Sequence, residues 1–112
     1  MKERPYGLYI GDMLVAMAKI ERYVKGLSFD EFVKSDMVID AVIRNLEVMG
    51  EAAKNVPDEV KVAHPEIPWR RIVGLRNIVI HDYLGIDLEN IWRIAAENIP
   101  ENRPLVAKLL EQ

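Results

Sequence analysis

From Met13 onward the apolar residues recur at steps of three and four almost to the end of the chain. Met13, Met17, Ile20 and Val24 form one stripe, broadened by Leu14. Ile39, Val42, Leu46, Met49 and Ala53 form a second, flanked by Val38, Ile43 and Ala52. Trp69, Ile72, Val73, Val79 and Ile80 make a third, and Leu88, Ile91, Trp92, Ala95 and Ile99 a fourth. This spacing puts apolar side chains on one face of a helix. Ile78-Val79-Ile80 could pass for a strand, but a single strand has nothing to pair with. The expected fold class is all-α.

The breaks between stripes carry helix-end chemistry. Gly26 ends the first helix. Ser28-Phe29-Asp30-Glu31 reads as a capping box that opens one short turn of helix. Ser35-Asp36 starts the second long helix, and Pro57-Asp58 stops it and begins another short one. His64-Pro65-Glu66-Ile67-Pro68 is a connector stiffened at two prolines, with Pro68 placed as first residue of the next helix. That helix is expected to run to about Tyr83, where Leu84-Gly85-Ile86-Asp87 breaks it and Asp87 caps the following one. Pro100 and Pro104 bend or restart the last helix before Leu105, Leu109 and Leu110. With 112 residues, residues 1–112 make a single domain. Four main amphipathic helices on short connectors predict an antiparallel four-helix bundle with short additional helices.

Absences narrow the chemistry. The chain has no Cys and no Thr, which removes thiolate nucleophiles and cysteine metal sites. Its six glycines never cluster into a phosphate-cradling loop. Its two histidines, His64 and His81, stand too far apart for a helical metal pair. The net charge of −3 does not suit a wholesale nucleic-acid binder, although Arg70, Arg71 and Arg76 lie close together. No apolar run is long enough to span a membrane. Met1-Lys2-Glu3-Arg4-Pro5 carries no secretion signal, so a cytoplasmic location is expected.

One residue breaks the apolar pattern. Arg76 stands amid Trp69, Ile72, Val79 and Tyr83, where a core helix should be apolar. An unpaired buried guanidinium costs several kcal/mol, on the order of a broken buried ion pair. Arg76 must therefore pair with Glu47 or Glu51 of the preceding long helix, or face a cleft or interface. On a straight helix Tyr83 stacks about two turns beyond Arg76, while His81 lies about 140° round from it. Arg76 and His81 converge only if the helix loosens near Asp82 or if two subunits complete one site. His81 can otherwise serve as a cap on the last carbonyls.

The run Arg76-Asn77-Ile78-Val79-Ile80-His81-Asp82-Tyr83 matches the Arg, four residues, His, any residue, Tyr motif of the HEPN superfamily. Asn45–Lys54 and Ile67–Ile72 on one side, and Gly85-Ile86-Asp87-Leu88 through Trp92 on the other, resemble its HepT branch over nearly the whole chain. HepT-like proteins are the toxin half of toxin–antitoxin pairs. The resemblance implies a homodimer whose motifs face a shared cleft and cut RNA without metal or cofactor. It also implies a partner, a minimal MntA-like nucleotidyltransferase antitoxin that silences the toxin by adding AMP to the motif tyrosine, here Tyr83.

These residue types suit that chemistry. His81 titrates near neutrality and can act as base or acid, and Arg76 offers a planar fork to phosphoryl oxygens. Asn77 either orients substrate or His81, or lies idle on the helix surface. Arg70 and Arg71 can hold RNA backbone. Arg44, Glu47 and Glu51 form a polar stripe that is either a solvated face or, through Arg44 and Glu51, the flank of the cleft. His64 is expected in a surface loop. The helix bearing Arg76 is apolar around most of its circumference, which calls for more than one neighbour and agrees with a dimer. The alternative is a non-catalytic helical module that binds a nucleotide or a nucleotidyltransferase, with Arg76 as a structural ion pair and Tyr83 merely packed on the Val79 face.

Overall fold

A computed structural model describes residues 5–81 and 87–111, with the backbone alone for residues 78–81. The described residues are all-helical, as the periodicity requires. Helix α1 spans Tyr6–Val24 and buries Ile10, Met13, Ala16, Met17, Ile20 and Val24. It ends where Gly26 takes a φ of 78°, a left-handed conformation that costs a glycine little.

The capping box is formed. The Ser28 hydroxyl accepts from the Glu31 N–H at 3.1 Å, and the Glu31 carboxylate accepts from the Ser28 N–H at 2.9 Å. It opens α2, Phe29–Val33, whose Phe32 is fully buried against the Trp92 ring at 5.2 Å. The Ser35 hydroxyl caps α3, Asp36–Lys54, at the Val38 N–H. Helix α4, Asp58–Ala63, is the short helix expected after Pro57. In the connector that follows, the indole of buried Trp69 donates to the His64 carbonyl at 3.0 Å. His64 is thus half-buried within its loop rather than free on the surface.

Helix α5 spans Trp69–His81. Pro68 stands one position before its first residue, not at it: the Pro68 carbonyl accepts from Ile72, the first bond of the helix. The expected continuation to Tyr83 lies outside the described residues.

Helix α6, Leu88–Arg93, is capped by Asp87 and passes directly into a wider π-helical segment, Ile94–Asn98. There the Ile99 N–H reaches back five residues to Ile94. Pro100 accounts for this, since it has no N–H for Ala96 and its ring crowds that carbonyl. Helix α7, Ile99–Ala107, then carries Pro104 inside it and finishes in a tight turn over Lys108–Glu111.

Helix α3 packs against both α1 and α5, and α1 also receives α7. Glu21 of α1 pairs with Arg103 of α7. Met13, Met17, Leu46 and Met49 meet in the centre, each almost wholly buried. No helix among the described residues is long and apolar enough to cross a membrane.

Helices α3 and α5 approach most closely at Gly50. A Cβ there would sit 3.0 Å from the Ile72 carbonyl oxygen and 3.1 Å from the Arg76 nitrogen, both backbone atoms that cannot rotate away. Gly50→Ala must push α5 outward, and overpacking of this kind costs about 1–3 kcal/mol. Because the obstructing atoms are backbone, the cost falls in the upper part of that range and outweighs the ~1 kcal/mol helix-propensity gain of alanine. Gly11 of α1 has nothing within 4 Å of the same position. Thermal unfolding should therefore show Tm falling for Gly50→Ala and rising for Gly11→Ala.

Hydrogen bonds from the Ser28 backbone and hydroxyl hold the Glu31 carboxyl below its ordinary value of 4.5. A depressed carboxyl stabilises the folded state above its unfolded value, and loses that contribution as pH falls through the folded one. The Tm difference between the native chain and Glu31→Gln should accordingly be present at neutral pH and shrink below pH ~4.

Candidate functional site

Arg76 continues the side of α5 that carries Trp69 and Ile72, both buried. Its guanidinium emerges where Gly50 lets the α5 backbone lie on α3, one residue before Glu51. Nη1 of Arg76 donates to the Glu51 carboxylate at 2.8 Å. The Arg76 side chain is 27% exposed and that of Glu51 52%. Of the two expected partners, Glu51 is the one engaged, in a half-buried pair rather than a deeply buried one. Nε of Arg76 is buried and meets no acceptor among the described residues.

The pair sits in an open depression of about 530 Å³ between α1, α3 and α5. Arg44 and Glu47 line it from α3, joined to each other at 3.2 Å. The polar stripe Arg44–Glu47–Glu51 therefore flanks the depression instead of facing solvent alone. Tyr9 and Asp12 complete the wall from α1. Sequence reasoning missed both, although Asp12 directly precedes the buried Met13 and so had to lie at the margin of the core. Three carboxylates, Asp12, Glu47 and Glu51, thus face two guanidiniums, Arg44 and Arg76.

The remaining expected site residues separate. Asn77 is exposed and is not part of the wall. Arg70 is exposed at the start of α5, and Arg71, also exposed, lines a different cavity between α5, α6 and α7. The His81 backbone ends α5 as described, but its side chain and all of Tyr83 lie outside the described residues. Among the described residues, no three His, Asp or Glu side chains come together as metal ligands.

A carboxylate bound to one guanidinium nitrogen restrains the side chain and leaves its other N–H groups to donate elsewhere. Arg76 is thereby an oriented donor for an anionic oxygen, at the head of the segment that ends in His81.

The family described as Ribonuclease HepT-like matches residues 13–109. A protein of Caldanaerobacter subterraneus subsp. tengcongensis, provisionally named an RNase, is 42% identical over 93 residues, 83% of this chain and 82% of its own. A Thermococcus cleftensis protein named a probable ribonuclease HepT is 37% identical over 107 residues, 96% and 97% of the two chains. A Methanocaldococcus jannaschii protein, also provisionally named an RNase, is 36% identical over 101 residues, covering 90% and 93%. No solved structure matches. With a family match that takes in α3, α5 and the Arg76–Glu51 pair, this chain belongs to the HepT-like family, of the HEPN type.

Proposed function

We propose that the protein is a metal-independent endoribonuclease and the toxin of a toxin–antitoxin pair. The observation that carries this reading is Arg76, held on α3 by Glu51 at the head of the Arg76–His81–Tyr83 segment. Relatives named as RNases support ribonuclease chemistry of the HEPN type. In the proposed reaction the ribose 2′-hydroxyl gives its proton to a base and attacks the adjacent phosphorus. The P–O5′ bond breaks, an acid protonates the leaving 5′-oxygen, and a 2′,3′-cyclic phosphate remains. His81 supplies proton transfer, and two copies, one per subunit of a homodimer, would supply both roles. Arg76 neutralises charge on the phosphoryl oxygens as the bond order changes. In this reading the four main helices, α1, α3, α5 and the run from Leu88 to Ile99, form an antiparallel bundle that pairs with a second copy so that the motifs share one cleft.

The Arg76–Glu51 pair also favours a second reading, a non-catalytic helical module in which Arg76 only joins α3 to α5. Cleavage assays separate the two. His81→Ala should lower RNA cleavage by a hundredfold or more, the range expected for a general acid or base, with its helical circular dichroism unchanged. Products should end in cyclic 2′,3′-phosphate, and a chelator should leave the rate intact. Loss of folding without any prior activity, or a strict need for magnesium, would contradict the nuclease reading.

Tyr83 is the proposed point of control by a minimal nucleotidyltransferase. The phenol oxygen would attack the α-phosphorus of ATP, releasing pyrophosphate and leaving AMP in phosphodiester linkage. The added negative charge and purine would then compete with RNA for Arg76. Incubation with the partner and ATP should add AMP to the native chain and not to Tyr83→Phe, read by intact mass. Equal addition to both would place the switch elsewhere.

A further inference from the structure

A second cavity, of about 550 Å³, lies between α5, α6, the π-helical segment and α7, and shares no lining residue with the Arg76 depression. Its floor is apolar: Met17, Met49, Ile72, Leu75 and Ile99 are all buried. Among the described residues its polar lining is Arg71, Arg93, Asn90, Asn98 and Asn102, two guanidiniums and three carboxamides with no carboxylate. That is the reverse of the Arg76 depression, where carboxylates outnumber guanidiniums. An anion is therefore drawn to the second cavity more strongly than to the first.

The carboxamides are partly oriented already. The Asn102 side-chain amide donates to the Asn98 backbone carbonyl at 2.8 Å, and the Asn90 side-chain Oδ1 accepts from Arg93 Nη1 at 3.4 Å. Ile94 and Asn98, the two ends of the π-helical segment, both line the cavity. The local widening before Pro100 thus shapes this wall, and such segments recur at functional sites.

An apolar floor, carboxamides that donate and accept, and two guanidiniums in one lining match the three parts of a nucleotide. The base face rests on the floor, its edge meets amides, and its phosphate meets a planar fork. The volume falls inside the ~300–1,000 Å³ usual for small-ligand sites. We propose that this cavity holds one nucleotide unit of a single-stranded RNA, with the base on the Met17–Ile99 floor and the phosphate on Arg71 and Arg93. The choice of RNA as the source of that nucleotide rests on the ribonuclease reading.

The test measures fluorescence anisotropy of a mixed-sequence, 2′-O-methylated RNA of about eight nucleotides, the length scale of single-stranded binding sites. This probe lacks the 2′-hydroxyl nucleophile, so binding is read without cleavage. Arg93 is exposed, which makes Arg93→Gln safe for folding. It should weaken binding at least fivefold and flatten the slope of log K against log salt by about 0.7, the loss of one single-strand phosphate contact. Asn102→Ala should weaken binding with the slope unchanged. Both variants binding like the native chain would overturn the proposal, as would binding of free AMP with no binding of the strand. A native chain that cuts no RNA but shows the Arg93 salt effect would sink the nuclease reading and uphold this one. RNA cleavage with KM unchanged in Arg93→Gln would do the opposite.

Discussion

The arrangement depends on one close approach, the α5 backbone lying on Gly50 of α3. At that point an added Cβ would meet backbone atoms at 3.0 and 3.1 Å. Because interiors pack densely and relax little, a contact this tight sets the separation of the two helices. It also sets the register. Arg76, whose nitrogen is one of the two atoms concerned, is placed beside Glu51, the residue after Gly50. A guanidinium in an otherwise apolar stripe becomes tolerable only because a carboxylate waits there, at a half-exposed position where desolvation is modest.

Charge is distributed between two cavities in opposite senses. The Arg76 depression holds its guanidiniums in place with nearby carboxylates, which favours orientation over attraction. The cavity beside α7 holds guanidiniums without carboxylates among its described residues, which favours attraction. In a chain of net charge −3, Arg71 and Arg93 thus line a cavity whose described residues include no carboxylate. The division also explains why Arg71, two residues past the start of α5, belongs with α6 and α7 rather than with Arg76.

Much of the fold was legible because its signals are local. The stripe Met13–Met17–Ile20–Val24 is buried as its spacing demands, and the Ser28–Glu31 box forms with both bonds. Gly26 and Asp87 end and start helices through properties of single residues. What escaped depends on contacts between elements. Ser35 and Pro68 bracket helices equally well on paper, but only the bond from Ile72 to the Pro68 carbonyl shows which side of the boundary Pro68 takes. The widening at Ile94–Asn98 follows from Pro100 acting backward along the chain, which a periodicity count does not register. At the site, Arg76 announced itself by breaking a stripe, and Glu51 was one of two carboxylates in reach. Tyr9 and Asp12 gave no comparable signal, since their role comes from α1 packing beside α3.

In the proposed mechanism Glu51 acts through Arg76, orienting the guanidinium toward phosphate. The most direct measurement is the RNA cleavage rate of Glu51→Gln in two backgrounds, the native chain and Arg76→Lys. Residues in contact that act as a unit give non-additive effects, whereas independent residues add. The account predicts a loss of about fivefold or more in the native background, the size of a ~1 kcal/mol coupling. In Arg76→Lys, where the planar fork is already gone, Glu51→Gln should change the rate less than about twofold. An equal loss in both backgrounds would contradict the account, because Glu51 would then act on RNA or on the fold by a route that bypasses Arg76.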